Sequence, residues 1–197
     1  MSPRPYQAGE RRLTATAATR KKIIDSARAL LAESNGESLT IDAIAERADV
    51  ARMTVYYQFK SKSKLLDALF DDVAQRADMR QMRRVFEEPD LLKSLSILVS
   101  IFCRLWENER TLLRRLTALA ALDPEVAAAL EERGAWRREA LETLFKRKPS
   151  GKNPSNLIDV LYVLTSFETY DALATRAKAK NLSGILKRAV TVLAESY

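Results

Sequence analysis

Apolar side chains recur at helical spacing along most of the chain, and the gaps between periodic stretches mark where one helix stops and the next begins. Ile23, Ile24, Ala27, Leu30 and Leu31 fall at i, i+1, i+4, i+7 and i+8, which predicts a first helix from Thr19 to the Asn35-Gly36 pair. Residues 1–18 carry prolines and polar side chains without such a stripe, so they are expected to form a flexible basic arm. Behind Thr40, a hydroxyl N-cap, Ile41, Ile44, Ala45 and Ala48 predict a short second helix that ends at Asp49. Val50, Val55 and Phe59 then supply the inner face of a third, leaving Arg52, Met53, Thr54 and Gln58 pointing elsewhere. Ser61 caps a fourth helix carrying Leu65, Leu66, Leu69, Phe70 and Val73. Its spacing runs on to Phe86, so the helix that starts after Ser61 is expected to be roughly 25 residues and about 37 Å long, with residues 65–86 as the connecting helix. Beyond Pro89, helices are expected over 90–108, 109–121, 124–147, 155–174 and 182–196, with Asp123-Pro124-Glu125 as a start signal.

Composition agrees with an all-α chain: only five glycines and six prolines interrupt 197 residues rich in strong helix formers. The net charge of +7 is uneven. Residues 1–64 hold 12 Lys and Arg against 7 Asp and Glu, and the remaining residues 21 against 19, which directs the front of the chain toward a polyanion. On charge alone that polyanion is nucleic acid or an anionic membrane.

Chemistry narrows the choice. There is no histidine, so neither a His-based zinc site nor a Ser-His-Asp or Cys-His nucleophile can be assembled, and enzymatic function is not expected. Glu131 and Glu132 are adjacent on a helix and face different directions, which suits no acid/base pair. A single cysteine, Cys103, excludes an internal disulfide and suits a reducing cytoplasm, with a buried hydrophobic role expected for its side chain. The opening residues lack a signal-peptide core, and the apolar run around residues 91–106 is interrupted by Lys93 and Arg104, so a cytoplasmic protein with no membrane partner is expected.

The helices over residues 19–64 have the outline of a helix-turn-helix, and residues 40–66 resemble the DNA-binding signature of the TetR family of bacterial transcriptional regulators, within a likeness that covers about residues 19–70. The resemblance rests on Thr40 before the second helix, the run Thr54-Val55-Tyr56-Tyr57-Gln58-Phe59, and the Ser61-Lys62 start of the fourth helix. It implies an all-α protein: an N-terminal three-helix helix-turn-helix domain at 19–64, a connecting helix at 65–86, and a helical ligand-binding and dimerisation domain at 87–197. The implied function is a ligand-responsive transcriptional repressor that binds a palindromic DNA operator as a homodimer and is released by a small-molecule effector, with no other cofactor and no metal. The implied DNA-binding residues are Thr40, Arg52, Met53, Thr54, Tyr56, Tyr57, Gln58 and Lys62. Of these, Arg52 is chemically suited to guanine, Met53 and the Thr54 methyl to thymine, and the helix starts at Thr40 and Lys62 to phosphate. Arg20, Lys21 and Lys22, with Arg4, Arg11 and Arg12, are candidates for neighbouring phosphates or the minor groove.

Three residues depart from the family pattern. Asp49 stands where glycine is usual in the turn, Ala51 where Ser or Thr caps the recognition helix, and Gln58 where histidine is frequent. In the C-terminal half, Phe102, Trp106, Leu116, Trp136, Tyr162 and Tyr170 are candidate ligand-pocket residues. Leu157, Leu161, Leu164, Ile185, Ala189 and Val192 are candidates for a four-helix dimer interface. A competing reading is a helical adaptor whose basic front meets an acidic partner or a membrane.

Overall fold

A computed structural model describes residues 5–33, 39–147, 154–176 and 181–196, with side chains from Leu13 onward. Among these residues there are eleven α-helices, one 3-10 turn and no strand: α1 (Pro5–Glu33), α2 (Ile41–Arg47), α3 (Arg52–Phe59), α4 (Lys62–Arg76), the turn at Met79–Gln81, α5 (Met82–Glu87), α6 (Leu91–Asn108), α7 (Arg110–Ala120), α8 (Pro124–Arg147), α9 (Ser155–Leu164), α10 (Phe167–Arg176) and α11 (Leu182–Glu195). The chain divides into two compact units, Met1–Asp72 with Arg114–Ala129, and Val73–Leu113 with Leu130–Tyr197.

In the first unit, α1, α2 and α3 pack on one another. Their apolar stripes meet in a core of Ile23, Ala27, Leu31, Ile44, Val55 and Phe59, joined by Leu65, Leu66 and Leu69 of α4. The segment Arg114–Ala129 belongs with this unit, although it lies within the residues 87–197 that the resemblance assigns to the regulatory domain. An ion pair between Lys62 and Asp123 ties it there. In the second unit α6 is the hub: α11, α5 and α10 all pack against it. Asp90 starts α6 by accepting the Lys93 N–H at 2.8 Å, and Leu95, Leu98, Ile101 and Phe102 are buried along its length together with Leu141, Leu144 and Leu186.

Three expectations about helix boundaries are corrected. Helix α1 begins at Pro5, so the residues expected as a flexible arm are helical from there on. Proline suits a first helical turn, and residues 6–18 are mostly Ala, Arg, Gln, Glu, Leu and Thr, which can extend a helix that has nucleated on its apolar C-terminal half. Residues 1–4 lie outside the described residues. The single connecting helix over 65–86 is instead two helices: α4 stops at Arg76, and Asp78 adopts a left-handed conformation (φ 53°, ψ 46°) before the 3-10 turn and α5. Asp is among the few residues that tolerate that conformation, and its carboxylate accepts the Gln81 side-chain amide at 2.7 Å. Fifteen residues give α4 a length of about 22 Å. The helix expected over 155–174 breaks at Thr165-Ser166. Ser166 Oγ caps α10 by accepting the Thr169 N–H at 3.1 Å, and Thr165 Oγ1 donates back to the Leu161 carbonyl at 2.8 Å.

Candidate nucleic-acid interface

Thr40 sits in extended backbone with its Oγ1 accepting the Ala43 N–H at 3.1 Å, and Asp42 adds a negative charge in the first turn of α2. Helix α2 closes in a Schellman arrangement: the Val50 N–H donates to the Ala45 carbonyl and the Asp49 N–H to the Glu46 carbonyl, both at 3.0 Å. This turn puts Asp49 at φ 48°, the left-handed position the family usually gives to glycine. Helix α3 then starts at Ala51, whose backbone has N-cap geometry but whose side chain offers no cap. Ala51→Ser is expected to supply the missing acceptor and stabilise the protein by about 1 kcal/mol, raising Tm by about 2 to 4 °C in a calorimetric scan. An unchanged Tm would move the start of α3.

The far end of α3 is held from α1. Arg20 lies 4.2 Å over the Phe59 ring and donates from Nη1 to the Gln58 carbonyl at 2.8 Å. A cation on the last carbonyls of a helix opposes its negative end, so Arg20 fixes the recognition helix in place. Lys21 pairs with Asp25 at 2.5 Å, and Lys22 stands 3.9 Å from Asp49. The side chains of Arg4, Arg11 and Arg12 lie outside the described residues.

With Val55 and Phe59 buried, α3 turns a continuous polar and amphipathic face outward: Arg52, Met53 and Tyr57 are exposed, and Thr54, Tyr56 and Gln58 half-buried. Met53 and Tyr57 are 73% and 70% exposed, large apolar surfaces that the first unit leaves uncovered. Arg52 donates from Nη1 to both Asp42 carboxylate oxygens at 2.8 and 2.7 Å and lies 3.4 Å from the Tyr56 hydroxyl. The Tyr56 hydroxyl, and after it the Asp42 charge, hold the guanidinium proton more firmly than usual. Asp42 thus aims Arg52, a role the sequence did not reveal.

Helix α4 begins as expected, with Ser61 Oγ accepting the Lys64 N–H at 3.2 Å. The Lys62 ammonium, expected on a phosphate, is engaged by Asp123. The other carboxylate oxygen of Asp123 caps α8, accepting the Glu125 and Val126 N–H groups at 3.1 and 3.3 Å. Burial pushes the Asp123 carboxyl up, but the Lys62 hydrogen bond and charge and the two backbone donors outweigh it, leaving the group below its ordinary value. Its stabilising effect is therefore present above the ordinary carboxylate pKa of about 3.9 and is lost as pH falls below it.

Of the pocket candidates, Leu116 is fully buried in the first unit, and the other five belong to the second. There Trp106 stacks on Phe102 (centroids 5.5 Å apart, 21° between planes) and meets Phe167 edge-on at 5.8 Å, while Tyr170 is buried and Trp136 44% exposed. Tyr162 lies under Arg137, whose guanidinium carbon is 4.2 Å from the ring centroid. The interface candidates also separate. Leu157 and Leu161 lie in the core of their own unit, and α9 turns Val160 and Val163 outward. Leu164 and Ala189 are half-buried, and Ile185 and Val192 exposed.

Cys103 is buried as expected. Burial pushes its thiol up to about 11, against smaller lowering effects of Ser183 and Lys187. The stability this brings is intact below the ordinary thiol pKa of about 8.5 and fades as pH rises toward 11. At pH 8 the native protein is expected to resist a disulfide reagent that labels the denatured chain fully; rapid native labelling would show that Cys103 opens to solvent.

Residues 23–69 match the family model of the bacterial regulatory proteins, tetR family. The chain is 29% identical over 137 residues to the HTH-type transcriptional repressor KstR of Rhodococcus jostii, a match covering 69% of this chain and 62% of that protein. It is 27% identical over 179 residues to KstR of Mycolicibacterium smegmatis, covering 88% and 86%. Solved structures of similar fold include NalD, the secondary repressor of the MexAB-OprM multidrug efflux pump in Pseudomonas aeruginosa (TM-score 0.67, 20% identity, 92% of this chain and 96% of that one). Another is the transcriptional regulator FadR from Bacillus subtilis in complex with stearoyl-CoA (TM-score 0.62, 20% identity, 88% and 96%). A capped α2, a Schellman turn through Asp49 and an outward-facing α3 all lie inside the segment that matches the tetR family of bacterial regulatory proteins, so residues 23–69 form a DNA-binding domain of that type.

Proposed function

We propose that the protein is a transcriptional repressor that binds a palindromic operator as a homodimer in the cytoplasm and releases it when a small molecule binds the second unit. The observation that carries this reading is the outer face of α3, where Arg52, Met53 and Tyr57 stand exposed on a helix held at both ends by the rest of its unit. A helix so presented fits the major groove, with Arg52 donating to guanine and Met53 packing on a thymine methyl. Thr40 and Tyr57 hold backbone phosphates, and Lys62 joins them by exchanging Asp123 for a phosphate. The exposed valines of α9 and the Ile185 and Val192 side chains of α11 support pairing with a second copy.

Effector release is a population shift: a ligand that binds one conformation of the dimer more tightly than another changes operator affinity by its differential binding energy and no more. The complex of the Bacillus subtilis FadR with stearoyl-CoA supports a small-molecule effector for this chain. Selection of bound sequences from random duplex DNA tests the reading, with enrichment of a palindrome whose half-sites lie about 34 Å apart as the expected result. Recovery of no palindrome would reject it and favour the adaptor.

A further inference from the structure

Arg137, midway along α8, is 6% exposed within the second unit. Its Nη1 donates to the Tyr162 carbonyl at 2.6 Å and to Thr165 Oγ1 at 3.1 Å, and its plane lies against the Tyr162 ring. Both acceptors are neutral. None of the described carboxylates forms an ion pair with Arg137, whereas Arg110 and Arg138 of the same unit reach Asp171 and Asp159. Burial lowers its proton affinity, opposed by the Tyr162 hydroxyl, through charge and a hydrogen bond, and by the Glu168 charge.

A buried cation without a counter-ion is unfavourable, because hydrogen bonds to neutral acceptors do not replace the hydration it has lost. The local structure does not need that charge. The two acceptors belong to the end of α9, where a donor on the last carbonyls is useful, yet the Thr165 carbonyl at the same helix end is satisfied by the neutral indole N–H of Trp106 at 3.1 Å. A neutral amide could serve Tyr162 and Thr165 equally well. Both of these bonds use Nη1; Nη2 and Nε face no carboxylate, and the one further described side chain that hydrogen-bonds with the guanidinium is Tyr162. Those two nitrogens form the side of the guanidinium that binds two oxygens at once. Trp106 shares Thr165 with Arg137 and carries the stacked Phe102 and edge-on Phe167 with it, so an apolar aromatic cluster adjoins the cation.

We propose that Arg137 anchors the oxyanion head of an amphiphilic effector, a carboxylate or phosphate on an apolar body, with the Phe102-Trp106-Phe167 cluster receiving the apolar part. This rests on the reading of the second unit as the effector domain. The test uses the full-length protein carrying Trp136→Phe, which leaves Trp106 as the fluorescent reporter. It is titrated without DNA with octanoate, octyl phosphate and neutral octanol. At least one anion is expected to bind tenfold or more tightly than octanol, and whichever of the two is preferred identifies the head group. Arg137→Gln, which removes the charge and leaves a shorter neutral amide in its place, is expected to erase that preference while leaving octanol affinity within twofold. Equal binding of all three probes to the Trp136→Phe protein, or an anion preference that survives Arg137→Gln, overturns the proposal. The comparison of probes does not depend on the folding of the Arg137 variant. A protein that enriches a palindrome but shows no anion preference loses only this proposal, and one that prefers the anion through Arg137 but enriches none loses only the repressor reading.

Discussion

Arg52→Ala is expected to weaken binding to the selected operator by about 1 to 3 kcal/mol per half-site while leaving affinity for random duplex close to wild type. The asymmetry follows from where the side chain is. Arg52 is exposed, and its contacts with Asp42 and Tyr56 are surface contacts screened by solvent, so its loss costs the protomer little stability. What is lost is a forked donor that can reach guanine O6 and N7 together, a contact available only at the correct base. Competition binding with operator and random DNA at one fixed salt concentration separates the effects. Equal weakening on both duplexes would make Arg52 a phosphate contact and move base recognition to Met53, Thr54 and Tyr57.

Val192→Glu is expected to dissociate the proposed homodimer. Val192 is 61% exposed on α11, whose opposite face, Leu182, Leu186 and Val190, is buried against its own unit. The substitution therefore leaves the protomer fold and its circular dichroism unchanged. In a twofold dimer the change occurs on both subunits, and a carboxylate removed from water without a partner is strongly disfavoured. Sedimentation at micromolar concentration is expected to show a monomer, and operator affinity to fall by about a hundredfold or more as the two half-sites cease to be held together. A variant that remains dimeric would direct the search for the interface to Val160 and Val163 of α9.

The DNA-binding unit was largely legible in the sequence because its determinants are local. The Thr40 cap, the left-handed Asp49, the uncapped Ala51 and the Ser61 start each act within about four residues of themselves, so a short string of residue types is enough to place them. What could not be read depended on partners distant in the chain. The break at Thr165-Ser166 is stable because Trp106 and Arg137 satisfy carbonyls there from other helices. Helix α9 is apolar on several sides, so periodicity alone could not separate Leu157 and Leu161, which face the core, from Val160 and Val163, which do not. Among the candidate DNA contacts, the residue types were visible but their partners were not: Asp42 holds Arg52, and Asp123 holds Lys62.

The Lys62–Asp123 pair affects how binding responds to ions. A free lysine that neutralises a phosphate releases counter-ions from DNA and so steepens the loss of affinity with salt. In the proposed phosphate contact Lys62 reaches DNA already neutralised, and moving to a phosphate leaves Asp123 as a bare carboxylate that must recruit a cation of its own. The exchange returns much of the ion entropy it gains, so Lys62 adds grip on DNA with less sensitivity to ionic strength than an unpaired lysine would bring.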